Sequence, residues 1–122
     1  MPTPCWVSYA PQAQLLGKQC ISIKTTCAER YLLMAEQLRQ ACAQFEPAQQ
    51  KILILNNPCS PTGQIYPQSI LDDLAKVCEE ENIIVISDEI YAGIIFNDNK
   101  HTSIRYPYPT KTIVTSGLSK FF

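Results

Sequence analysis

KILILNNPCSPTGQIYPQSILDDLAKVCEEENIIVISDEIY, residues 51–91, decides the fold. It begins with an apolar run, Ile52 to Leu55, stopped by a proline-rich turn that ends at Gly63. Pro67 to Glu81 is predicted to be helical. Proline suits a first turn, and Ile70, Leu71, Leu74, Val77 and Cys78 fall on one stripe. A second apolar run, Ile83 to Ile86, then closes on Asp88-Glu89-Ile90-Tyr91. A strand, a helix and a strand with a connection of this length predict a parallel crossover. Strands that are continuously apolar, without strict alternation, predict a sheet covered on both faces. The expected fold class is therefore α/β, a three-layer αβα sandwich around a mainly parallel sheet.

Outside this unit, Cys20 to Lys24 and Thr112 to Thr115 read as further strands. Tyr31 to Ala43 places Leu32, Ala35, Leu38 and Cys42 at helical spacing. Gln12 to Leu16 is a short helix with Gly17 as its C-terminal cap. The link from Asp88 to Lys111 holds an apolar piece, Ile94-Ile95-Phe96, then a polar return in which His101 is expected to be an exposed loop residue.

The 122 residues suffice for one domain, residues 1–122, and 46% apolar against 17% charged residues fits a globular chain with a core. A net charge of −1 with scattered basic residues gives no footprint for nucleic acid or an anionic membrane surface. No apolar run approaches the roughly 20 residues needed to span a bilayer. Six cysteines without a Cys-x-x-Cys pair read as reduced thiols of a cytoplasmic protein. A single histidine argues against a zinc site, so no metal ligands are assigned.

Each of three strands is followed by a polar group. Ser60 follows the first, Asp88 and Tyr91 the second, and Ser116-Gly117-Leu118-Ser119-Lys120 the third. If the third strand is parallel to the others, all three emerge at the carboxyl edge of one sheet, where open α/β sheets bind ligands. Singly, Lys120 reads as a solvated lysine, Asp88 as a turn or cap residue, and Tyr91 and Trp6 as packing aromatics. Together, an amine, a carboxylate and a phenol suit Schiff-base chemistry on pyridoxal phosphate. That cofactor needs a lysine to hold it as an imine, and a carboxylate against its ring nitrogen.

The runs Asn57-Pro58-Cys59-Ser60-Pro61-Thr62-Gly63, Ser87 to Tyr91 and Ser116 to Lys120 resemble, in order and spacing, the signatures of the class I/II aminotransferases. Pro4-Cys5-Trp6-Val7-Ser8-Tyr9 resembles the family segment in which an aromatic ring stacks on the cofactor. The resemblance implies the fold-type I large domain, with pyridoxal 5′-phosphate as cofactor, amino acid and 2-oxo acid substrates, and a homodimer. It implies Lys120 as the catalytic lysine, Asp88 at the pyridinium nitrogen, Tyr91 at the ring phenolate and Trp6 over the ring. Ser116 and Ser119 become candidates for the phosphate. Two positions depart from the family pattern. Ser60 stands where asparagine is usual, and Gly117 where a phosphate-binding serine is common.

The resemblance also implies that a glycine-rich phosphate loop, two arginines and the strand leading into Pro4 belong to a longer chain. Residues 1–122 are thus expected to be an internal, incomplete part of the large domain, inactive alone. A β-lyase or cyclising lyase on the same residues, and a non-catalytic truncated product, are the alternatives.

Overall fold

The structure, a computed structural model, describes residues 1–120. Its centre is a three-stranded parallel sheet in the order β3-β4-β5, with β3 spanning Lys51–Asn56, β4 Ile83–Asp88 and β5 Thr112–Thr115. A second, two-stranded sheet pairs β1 (Pro2–Thr3) in parallel with β2 (Ile23–Lys24), so the strand leading into Pro4, expected to lie outside this chain, is present in its last two residues. Three helices complete the order: α1 (Tyr9–Leu15), α2 (Ala35–Cys42) and α3 (Gln68–Glu80), with a 3-10 turn at Leu118–Lys120.

The expected crossover is present. Helix α3 connects β3 to β4, and its stripe of Leu71, Leu74, Val77 and Cys78 is completely buried. Alternating residues Leu53, Leu55, Ile83 and Val85 join that core, as does Leu38 from α2. The long link after β4 also supplies Ile104 and Tyr108 to it. The Tyr108 hydroxyl donates to the carbonyls of Cys78 (3.2 Å) and Ile83 (2.9 Å), tying the end of α3 to the start of β4. At the same end Lys51 is buried and pairs with Glu81 at 3.2 Å.

Helix α3 packs on one face of the sheet. On the other, Tyr9 and Ala13 of α1 share a trough with Ile52 and Ile54, while Ile52 is 54% and Ile113 56% exposed, so the second covering layer of the αβα sandwich is incomplete among the described residues. An apolar trough of about 320 Å³ lies between the two sheets, lined by Ile21, Ile23, Leu38, Cys42, Ile52 and Ile54. The Met1 amine sits at this trough and donates to the Ile21 carbonyl at 3.0 Å; burial lowers its pKa.

Several boundaries differ from expectation for identifiable reasons. Helix α2 begins at Ala35 rather than near Tyr31, because Arg30 and Tyr31 adopt positive φ and cannot continue a helix. Leu33 is instead fixed by its N–H, which donates to the buried Tyr66 hydroxyl at 2.9 Å. Gln37 then accepts from the Met34 N–H at 2.9 Å, one half of a capping box. Strand β2 covers only Ile23–Lys24 of the predicted Cys20–Lys24, since β1 offers it two residues to pair with. Helix α1 starts earlier than predicted, at Tyr9, and Gly17 takes the expected left-handed cap with φ +65°.

Candidate active site at the carboxyl edge of the sheet

Parallel register sets the site. Asn56 of β3 lies opposite Asp88 of β4, and Asp88 lies opposite Thr115 of β5, so all three strands end in line. The backbone leaving each strand therefore starts from one edge, as the parallel arrangement requires. Asp88 is held through its main chain: its carbonyl accepts from the Asn57 N–H (3.0 Å) and from Asn56 Nδ2 (3.0 Å). The next residue, Glu89, donates its N–H to the Thr115 carbonyl at 2.8 Å.

The Asp88 side chain is half-buried, and each carboxylate oxygen has a donor. Oδ1 accepts from the Ile90 N–H at 3.2 Å, and Oδ2 accepts from the Tyr9 hydroxyl. Tyr9 is 7% exposed. Burial, and then the bond to Asp88, hold its phenol pKa far above the usual value, so it stays protonated as a donor. Its ring meets Trp6 edge-on, with centroids 5.3 Å apart and planes at 82°. Trp6 itself is 45% exposed, with indole surface available to a ligand.

Ser60 and Tyr91 line a cleft of about 420 Å³ together with Pro58, Ile94 and Phe96. The turn carrying Ser60 is fixed by its ends. Cys59 N–H donates to Gln64 O (2.9 Å), and Gly63 N–H donates to Cys59 O (2.7 Å). Asn56 Oδ1 accepts from the Ser60 N–H at 2.7 Å. Gly63 has φ +68°, which a side chain opposes. The Lys120 ammonium stands 5.6 Å from the Tyr91 ring centroid, within cation–π reach. Ser116, Ser119 and Lys120 are exposed on the segment after β5. Lys120 and Tyr91, Ser60 and Tyr91, and Trp6 and Asp88 through Tyr9 are thus brought together. Ser116 and Ser119 are placed on the same segment as Lys120, in no shared contact that defines a phosphate site.

Residues that the sequence did not single out hold this edge. Asn57 donates through Nδ2 to Thr102 O (2.8 Å) and accepts at Oδ1 from Tyr66 N–H (3.1 Å). Glu89 is 8% exposed and accepts from Ser87 Oγ (2.9 Å) and from Ser103 Oγ. His101 is not the exposed loop residue expected. Its Nε2 lies 2.8 Å from Glu89 Oε2, while its Nδ1 is buried without a hydrogen-bond partner. The carboxylate draws the imidazole inward. Tyr9 had one signal available, a phenol three residues after Trp6 at the start of a helix.

Comparison with known proteins identifies the family. The family model described as aminotransferase class I and II matches residues 1–122. The aspartate aminotransferase of Bacillus sp. (strain YM-2) is 38% identical over 98% of this chain and 30% of its own length. That of Pyrococcus abyssi is 36% identical over 100% of this chain and 31% of its own. Among solved structures, the aspartate aminotransferase from Thermus thermophilus with maleate superimposes with a TM-score of 0.88 at 30% identity, covering 98% of this chain and 30% of that one. The aromatic aminotransferase from Pyrococcus horikoshii also gives 0.88, at 34% identity over 99% and 32%. The chain spans about 30% of the length of the curated relatives it matches. By this match along its whole length, the chain belongs to the class I and II aminotransferases.

Proposed function

We propose that this chain carries the cofactor-holding centre of a pyridoxal-phosphate-dependent aminotransferase, which moves an amino group from an amino acid to a 2-oxo acid. The observation that carries it is the Asp88 carboxylate, fixed by a donor on each oxygen at the edge from which the Lys120 segment also leaves. The donor set fits the cofactor. A carboxylate oxygen that accepts one hydrogen bond keeps a further lone pair for a ring N–H. When bound, pyridoxal phosphate supplies an aldehyde for amines and an electron-withdrawing ring that stabilises charge at the substrate α-carbon.

In this role the Lys120 amine would hold the aldehyde and would be the group that takes up and releases a proton. The Asp88 carboxylate would hold the ring nitrogen, the Tyr91 phenol would donate to the ring oxygen, and the Trp6 indole would cover the ring. Ser60 offers a shorter donor than asparagine to the same oxygen, while Ser116 and Ser119 offer hydroxyls to the phosphate.

Residues 1–122 are on this proposal the central part of a larger domain, inactive in isolation. The 30% coverage of the relatives, the open trough and the exposed sheet face of Ile52 and Ile113 support it. Exposed apolar side chains such as Leu118 and Phe96 support a homodimer of the whole protein, and six free thiols support a cytoplasmic location. No helix among the described residues is long and apolar enough to cross a membrane.

The test is chemical trapping. The chain is incubated with pyridoxal phosphate, reduced with borohydride and mapped by mass spectrometry. Label concentrated on Lys120, and lost in Lys120→Ala, is expected. Label spread evenly over the lysines would sink the proposal.

A further inference from the structure

We propose that Tyr9 is a positioning residue that fixes the Asp88 carboxylate for the cofactor's ring nitrogen and, through its ring, seats the Trp6 indole. The role rests on the cofactor proposal above and goes beyond it, since Tyr9 touches neither substrate nor the reacting atoms. A carboxylate on a single bond is free to rotate, and each orientation aims its lone pairs differently. Here rotation is stopped from both sides, by the Tyr9 hydroxyl on Oδ2 and the Ile90 N–H on Oδ1. Hydrogen bonds to an ionised acceptor are the stronger kind, so this restraint resists thermal rotation.

The second link is aromatic. Tyr9 packs edge-on against Trp6, so the group that would read the ring nitrogen and the group that would cover the ring share one neighbour. That neighbour enters from α1, whereas Asp88 ends β4, 79 residues later in the chain. Burial keeps Tyr9 neutral, so it donates without adding a second negative charge beside the carboxylate.

The rival is a core tyrosine that merely satisfies its hydroxyl, and two ligands separate the two roles. One is pyridoxine 5′-phosphate, which lacks the aldehyde. The other is its carbocyclic analogue, with carbon in place of the ring nitrogen. Calorimetric affinities are measured for the wild-type chain, Tyr9→Phe, Asp88→Asn and the double variant. Tyr9→Phe keeps the ring against Trp6 and removes only the hydroxyl. Trp6 is the sole tryptophan, so its emission reports directly whether the indole stays seated.

The expected result is a loss of about tenfold for the pyridine ligand in Tyr9→Phe, with the carbocyclic ligand unchanged within about twofold. Tyr9→Phe should add nothing in the Asp88→Asn background. Equal weakening of both ligands, or no change in either, overturns the role and leaves the cofactor proposal standing. A wild-type chain that binds neither ligand and takes no borohydride label at Lys120 refutes the cofactor proposal and this role with it. Should Tyr9→Phe fail to fold, Asp88→Asn alone still decides. If it distinguishes the two ligands as well as wild type does, Asp88 does not read the ring nitrogen and Tyr9 cannot act through it.

Discussion

Replacing Glu89 with glutamine leaves size and shape almost unchanged and removes one acceptor oxygen from a buried cluster. Glu89 Oε1 receives the hydroxyls of Ser87 and Ser103, and Oε2 faces His101 Nε2 at 2.8 Å. If the new amide keeps its oxygen toward the serines, its NH₂ confronts His101 Nε2. The imidazole must then carry its proton on Nδ1, which is buried with no acceptor. If the amide flips, the NH₂ faces both hydroxyls, whose protons lose their acceptor. Ser103 Oγ already receives the Arg105 N–H at 3.1 Å. Either way at least one buried donor is stranded, which costs about 1–3 kcal/mol. For a chain of this length that is a fall of about 4–15 °C in melting temperature. Glu89→Ala strands all three donors and should cost more, about 3–5 kcal/mol. Circular dichroism melts and urea midpoints at neutral pH measure both. A Glu89→Gln protein within about 0.5 kcal/mol of wild type, the range of ordinary surface changes, would show that Glu89 is not the hub of this cluster.

Two further outcomes follow from the core. Leu71 is completely buried between α3 and the sheet, so Leu71→Ala should lose about 2.7–5 kcal/mol in urea denaturation; a loss under about 1 kcal/mol would mean the helix layer is loosely packed. The Cys78 thiol is pushed up from 9.0 to about 12 by burial, so the folded state favours its neutral form. Its contribution is fully present below about pH 9 and is lost as the pH climbs toward about 12. Across that window wild-type stability should fall more steeply than that of Cys78→Ala, by about 1.4 kcal/mol per pH unit, and parallel curves would refute the shift.

What could be read in advance was local. The strands β3 and β4 and helix α3 are written in contiguous apolar runs and one helical stripe, and β5 matches Thr112 to Thr115 residue for residue. That Ser60, Asp88, Tyr91 and Lys120 would lie at one edge of the sheet was legible because each stands at or after a strand end, and parallel pairing brings those ends together. The misses depend on distant partners. Helix α2 starts late because Arg30 and Tyr31 take positive φ, and the chain that follows is held by Tyr66, whose hydroxyl accepts the Leu33 N–H from 33 residues away. His101 stands among Asn99, Lys100 and Thr102, and that polarity hid a burial imposed by Glu89. The one local signal at Tyr9, its place three residues after Trp6, does not name a partner 79 residues away. Covering of the second sheet face was inferred from apolar strands, but strand composition does not say which layer of chain does the covering.

The strand β4 has hydrogen-bonded neighbours on both sides, whereas Lys120 rides a short 3-10 turn beyond the outer strand β5. These two anchors lie at opposite ends of the range of local opening energies. In this chain the amides around Asp88 therefore open only with the sheet itself, while those of the 3-10 turn open locally. In hydrogen exchange the amides of β4 should be among the slowest and those of residues 118–120 among the fastest. On the proposed function, the carboxylate that would hold a ring nitrogen still is carried on the element that opens most slowly.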